Sequence, residues 1–223
     1  MSANDGKGTA AGGGPAAGGT ELAGRLGLGT PPAGGDGTAA AEGGPRRKGP
    51  FFCGDIDMRI ARDGTWFYLG TPIGRHALVK LFSTVLHRDA DGDYWLETPV
   101  EKCRIQVEDA AYIVTAMRVE GTGRDARIVF TTNVEAEVPL DDAHPLVLRP
   151  RPDSGDLAPY LTVGRGLEAL LGRAVYYQLV DLADIRRHPD TGAEVLAVES
   201  AGMTHYLGSP EFEDDRIAAG AGR

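Results

Sequence analysis

The chain has 223 residues, a formal charge of −9 and only two cysteines. No run approaches the roughly 20 apolar residues of a membrane-spanning helix. The acidic balance disfavours nucleic-acid binding, because a duplex-binding surface needs a cationic footprint. Cys53 and Cys103 stand far apart, in no CxxC or zinc-ligand spacing. They read as two reduced, partly buried thiols of a cytoplasmic protein.

Residues 1–49 hold half of the chain's 32 glycines and no Val, Ile or aromatic residue. Such a segment has no apolar surface to offset the entropy of ordering, so it reads as a disordered tail. It also lacks the continuous apolar stretch of a signal peptide. Residues 56–69 read as a β-hairpin turning at Asp63-Gly64. A two-residue turn would pair Ile60 with Phe67. One face would then carry Ile56, Met58, Ile60, Phe67 and Leu69, the other Asp57, Arg59, Ala61, Trp66 and Tyr68. Gly70–Gly74 is a loop, and Arg75–His87 a helix with its apolar stripe at Ala77, Leu78, Leu81, Phe82, Val85 and Leu86.

A turn at Asp91-Gly92 leads to a strand over Tyr94–Glu97, and Thr98–Glu101 resembles a capping box over one helical turn. Strands are expected at Arg104–Val107, Tyr112–Glu120, Arg127–Thr132 and Glu135–Leu140. The proline-rich stretch 141–159 reads as an irregular connection. Beyond it, Tyr160–Val163 is extended and Arg165–Leu171 a short helix. Ala174–Leu182 is largely apolar and fits strand or helix, with Val175, Tyr176, Tyr177 and Val180 favouring strand. Val195–Val198 and Met203–Leu207 make a final hairpin around Ala201-Gly202. An internal echo links Ile73-Gly74-Arg75 to Val163-Gly164-Arg165, each preceded by Tyr-Leu, and suggests a duplicated unit.

The segments CGDIDMRI, RDGTWFYLGTPIGR, LVKLF, LETPVEKCRIQVEDA and GLEALLGRAVYYQLV resemble an uncharacterised bacterial family, domain of unknown function 1285. The resemblance runs from about Phe51 to Gly208. It implies an α+β protein of two related halves with repeated strand-loop-helix-strand motifs, the C-terminal half loosely like a pleckstrin-homology barrel. It also implies a ligand site between the halves, for a nucleotide-like molecule in signalling. We accordingly place the tail at 1–49, the N-terminal α+β half at 50–110, the β-rich half at 111–209 and a frayed end at 210–223. Near Gly164-Arg165-Gly166 this chain lacks the acidic residue expected after the arginine, which weakens a role for Arg165.

Arg75 is the strongest single candidate. A cation in the first helical turn faces the positive end of the helix dipole, a cost of about 0.3–1 kcal/mol. Either a salt bridge to Asp55 or Asp57 offsets it, or an anionic ligand does, held over Gly70–Gly74 by backbone N–H groups and Arg75. The loop lacks the GxxxxGK[ST] pattern of nucleoside-triphosphate hydrolases. The face Asp57, Arg59, Trp66 and Tyr68 is the second candidate. Its aromatics could stack on a planar base while Arg59 meets a phosphate. The competing reading covers that face with the other half and makes Trp66 a packing residue.

Asp89-Ala-Asp91-Gly-Asp93 has its glycine at the wrong position for an EF-hand loop and reads as a solvated turn. The five histidines and the serines fall in no HExxH or GxSxG pattern. Glu97, Glu101 and Glu108 read as surface and capping residues. With no nucleophile–base pair to nominate, a non-enzymatic ligand-binding or regulatory module is expected, without cofactor or metal. Its ligand-binding residues would be Arg75, Trp66, Tyr68, Arg59, Asp57 and Arg165. The alternative is a protein-interaction module using the acidic surface and the tail.

Overall fold

β1 (Phe51–Ile60) and β2 (Trp66–Tyr68) form the expected hairpin, but one residue out of the expected register. In the computed structural model, which describes residues 51–208, Ile60 pairs with Trp66 and Met58 with Tyr68. The connection is a five-residue loop closed by the Ala61 N–H on the Thr65 carbonyl, not a two-residue turn. Side chains alternate along a strand, so a slip of one residue exchanges the two faces of β2. Trp66 therefore enters the core with Met58 and Ile60, and Phe67 turns outward beneath Arg59. The expected tail at 1–49 and the frayed end from 210 lie outside the described residues.

After a short β3 (Thr71–Pro72), α1 covers His76–Val85 with Arg75 as its N-cap residue. Val79 and Phe82 are its buried residues, and the Phe82 ring stacks on Trp66 with centroids 6.2 Å apart. β4 (Leu86–Arg88), β5 (Tyr94–Glu97) and β6 (Glu101–Val107) complete the first sheet, in the order β3-β2-β1-β6-β5-β4. Thr98 does not open a helical turn. Its hydroxyl accepts the Glu101 N–H inside the tight β5–β6 connection.

The second sheet is built from β7 (Tyr112–Glu120), β8 (Arg127–Thr132), β9 (Glu137–Pro139), β10 (Leu146–Pro150), β11 (Leu157–Gly164) and β12 (Leu167–Leu171). Its order, β10-β11-β12-β7-β8-β9, repeats that of the first sheet. In each, the first and last strands meet as a central parallel pair, β1 with β6 and β7 with β12. The duplication is thus one of sheet order, and its frame differs from the Gly-Arg echo. Arg75 precedes a helix, whereas Arg165 sits in the β11–β12 turn.

Two other expectations are reversed. Residues 167–171 are strand, because Gly164, Arg165 and Gly166 all have positive φ and turn the chain back on β11. Gly166 must also lack a side chain, since a Cβ there would lie 2.5 Å from the Arg88 carbonyl oxygen. Residues 173–181 are helix α2, with Val175 and Leu179 buried one turn apart. Packing against the second sheet overrides their strand propensity. A third sheet, β13 (Asp184–Arg187), β14 (Glu194–Ser200) and β15 (Met203–Gly208), ends the described chain. Buried Ser200 bolts it to the second sheet, accepting the Ile128 N–H and donating to the Leu140 carbonyl.

Cys103 is buried and disulfide-bonded, which overturns the expectation of a reduced thiol. Disulfides persist in oxidising surroundings, so cysteine usage no longer speaks for a reducing compartment. Among the described residues no helix is long and apolar enough to cross a membrane.

One apolar core runs through both halves, from Trp66 and Phe82 to Tyr112, Phe130, Leu161 and Leu207. Around it, α1 joins the halves through side chains. The Tyr112 hydroxyl donates to the Ser83 carbonyl, Lys80 pairs with Glu135, and His76 Nε2 lies 2.9 Å from the Asn133 carbonyl oxygen. Asn133 also holds the β1–β2 loop by donating to the Gly64 carbonyl. Gly64 has φ of +81°, and a Cβ there would lie 2.6 Å from Asn133 Nδ2 and 2.9 Å from Ile113. Gly64→Ala should lower stability by about 1–3 kcal/mol, read as a shift in the urea midpoint. An unchanged midpoint would show that the loop does not clasp the second half.

Burial holds the His205 pKa below its ordinary 6.5. Below pH 6.5 the unfolded chain then takes up a proton that the folded chain resists. Stability is full above that pH and falls as pH drops through the window beneath it. His205→Gln should flatten this slope in urea titrations between about pH 5 and 7.

Candidate functional site

The six candidate residues do not converge. Arg75 is exposed at the N-terminus of α1, and no ion pair holds it among the described residues. Asp55, one of its expected partners, is bound bidentately by Arg104. Arg165 lies at the other end of α1, donating to the Thr84 carbonyl, where a cation meets the negative pole of the helix. Ten helical residues separate the two arginines by about 15 Å. Trp66 is 1% exposed beneath Phe82, so it forms no ligand wall. Tyr68 packs partly buried against the same core. Asp57 is exposed and supplies its backbone carbonyl to the Leu69 N–H. Arg165 thus bridges the halves through α1, and Arg59 lies near the connection between them, paired with Glu108 and 4.4 Å over the Phe67 ring.

That boundary holds a different constellation. The chain crosses from the first sheet to the second through Glu108-Asp109-Ala110-Ala111, where the two alanines are 1% and 0% exposed. The small side chains let the backbone pass through the packed interior, and they carry the Asp109 carboxylate in with it. That carboxylate is 0% exposed. Its Oδ1 accepts the Tyr160 hydroxyl at 2.7 Å, while its Oδ2 has no hydrogen-bond partner. Two arginines stand over it without bonding to it: Arg149 lies 4.0 Å from Oδ1, and Arg151 3.8 Å from Oδ2. Both guanidinium groups are about one-third exposed. Arg149 sits 3.5 Å over the Tyr160 ring and bonds Glu168 at 2.9 Å, and Arg151 bonds Asp153 at 3.3 Å. Arg62 also pairs with Asp153, bringing the β1–β2 loop to the same rim. Burial and the bond to Asp109 raise the Tyr160 pKa well above the tyrosine range, so its hydroxyl stays a donor. Tyr94, from the first half, is pushed up by burial and feels the charges of Arg88, Glu168, Arg149 and Asp109.

Beside Tyr94, a cavity of about 410 Å³ opens on the first sheet, lined also by Asp55, Asp93 and Arg104. It lies at a bulge where three residues of β1 face one of β6. Its cation, Arg104, is engaged by Asp55 and Asp93. Arg104 hydrogen-bonds both of its carboxylates, whereas Arg149 and Arg151 each hydrogen-bond one and stand off from Asp109, so the Asp109 cluster is the better candidate. Among the described residues no group of His, Cys, Asp or Glu is placed to hold a metal ion.

Residues 46–110 match the N-terminal domain of DUF1285, described as a domain of unknown function, and residues 111–207 match its C-terminal domain. The chain belongs to the DUF1285 family. A DUF1285 protein of known structure from Silicibacter pomeroyi DSS-3 is 42% identical, with a TM-score of 0.66, covering 74% of this chain and 86% of its own. Another, from Shewanella baltica OS155, is 32% identical with a TM-score of 0.46, covering 56% of this chain and 91% of its own. No curated protein matches the chain.

In this DUF1285 protein the cluster's residues escaped sequence reasoning for separate reasons. Asp109 is an unremarked neighbour of Glu108, and nothing in its local sequence announces burial. Arg149 and Arg151 lie in the stretch expected to be irregular. Their spacing of two was the available signal, because on a strand it places both side chains on one face. Tyr160→Phe should destabilise the fold by about 1–3 kcal/mol, since it strips a buried carboxylate of its hydrogen bond. Thermal unfolding reads this directly, and a neutral result would mean that Asp109 is satisfied by other means.

Proposed function

We propose that this protein is a non-enzymatic binding module for a small anionic, nucleotide-like ligand, serving in signalling, with its site at the boundary between the halves. The observation that carries this reading is the pair Arg149 and Arg151. Both are partly exposed and stand over the buried Asp109 at 3.8–4.0 Å, too far for either to hydrogen-bond it. Arg149 near the end of β10 and Arg151 just beyond it carry neighbouring guanidinium groups, which are suited to bidentate recognition of phosphate or carboxylate. The second half is read as loosely pleckstrin-homology-like; fold likeness alone carries little functional weight. Arg75 belongs to a separate anion contact in this proposal, over the Gly70–Gly74 loop.

A nucleotide and phosphate panel tests the reading through melting temperature. Ligand at 100 times Kd contributes about 2.7 kcal/mol, or roughly 5–10 °C for a domain of this size. The shift should vanish in Arg149→Ala/Arg151→Ala and survive in Arg75→Ala. The reverse pattern would move the site to the loop, and a silent panel would remove it. In that last case a protein partner is the second reading. It is favoured by Tyr177, Leu182 and Ile185, which stay 44%, 50% and 63% exposed on α2 and the edge strand β13.

A further inference from the structure

Resting on the anion site just proposed, we infer that it selects a protonated oxyanion, the hydrogen phosphate or phosphomonoester group, and rejects sulfate. The inference comes from a mismatch inside the cluster. Arg149 and Arg151 call for negative charge, whereas the adjacent Asp109 Oδ2 is an acceptor and calls for a donor. A simple anion satisfies the arginines but is repelled by the carboxylate. A cation or neutral amide satisfies the carboxylate but is repelled by, or leaves unused, the two guanidinium groups. One group that meets both demands is an oxyanion carrying its own O–H. Its charged oxygens face the arginines, and its hydroxyl donates to Oδ2.

The rest of the cluster holds Oδ2 in this role. The Tyr160 hydroxyl occupies Oδ1 from the buried side, so that the carboxylate cannot rotate its unpartnered oxygen toward an internal donor. Glu168 and Asp153 hold the arginines beside the site with one hydrogen bond each, which leaves other guanidinium N–H groups to donate. Oδ2 is enclosed, and Arg151 is the group to move for entry. Its side chain is 31% exposed, with one hydrogen bond at 3.3 Å, to Asp153, and an ion pair at 3.8 Å, to Oδ2 itself.

A site built around a ligand hydroxyl discriminates strongly against the analogue lacking it, because its own buried polar group is then left unpaired. Calorimetric titration of the full chain with inorganic phosphate and with sulfate tests the inference. Phosphate should bind at least about tenfold more tightly, a difference of about 1.4 kcal/mol. Asp109→Asn replaces the acceptor with a donor and should bring the two anions to similar affinity by strengthening sulfate. Because that variant could fail to fold, the wild-type protein supplies an independent arm. Methyl phosphate loses its proton near pH 6, so its affinity should fall as pH rises through that value, while sulfate affinity stays flat. Equal phosphate and sulfate binding, both abolished in Arg149→Ala, would overturn the selectivity and leave the anion site standing. Binding of neither anion, or of amino acids in preference to both, would overturn the two together.

Discussion

The pairing of Ile60 with Trp66 is the constraint on which the first half depends. Because β-strand side chains alternate, this single register choice sends Trp66 inward and Phe67 outward. The indole then offers a flat surface on which Phe82 stacks, and that contact seats α1 against the sheet. Once seated, α1 presents His76, Lys80, Ser83 and Thr84 to the second half, where Asn133, Glu135, Tyr112 and Arg165 receive them. The same register lengthens the hairpin loop to five residues, enough for Gly64 to lie under Asn133. A one-residue slip would unseat the helix and withdraw the loop together.

The boundary between the halves carries an energetic tension that the core does not. Burying a carboxylate is costly unless it is paired and hydrogen-bonded. Asp109 has one good hydrogen bond, from Tyr160, and two arginines that approach without closing. An apolar residue at 109 would relieve that cost, so a purely structural role explains the cluster poorly. The cavity beside Tyr94 shows the contrasting case, in which Arg104 is hydrogen-bonded to both Asp55 and Asp93. Of the two polar sites, only the one at the boundary holds a buried carboxylate oxygen without a hydrogen bond.

The two sheets share a strand order with a central parallel pair, yet their helices enter differently. α1 interrupts the first sheet between β3 and β4, while α2 follows the last strand of the second. This asymmetry is what allows α1 to lie along the boundary. It also explains the misleading Gly-Arg echo. Gly74-Arg75 opens a helix, while Gly164-Arg165-Gly166 turns a hairpin and places Arg165 at the far end of that same helix. Two similar tripeptides thus take unrelated backbone shapes, set by what packs around them.

The sequence by itself determined the family, the α+β class, and the elements with strong local signals, such as β5, β7 and helix α1. That helix nonetheless buries Val79 with Phe82 and leaves Ala77 and Leu81 of the expected stripe exposed. The family and its α+β class come from the resemblance of the sequence motifs, and the elements follow from hydrophobic periodicity, which is a property of neighbouring residues. Tertiary structure alone decided the register of β1 and β2, the strand at 167–171 and the helix at 173–181. There, long-range pairing and packing outweighed local preference. The cluster around Asp109 belongs to the second kind as well. Its residues come from the connection between the sheets, the middle of β11 and a stretch expected to be irregular, and only the packing of the fold brings them together. Periodicity reports which way a side chain faces along its own element, and it carries no information about which distant side chain it will face.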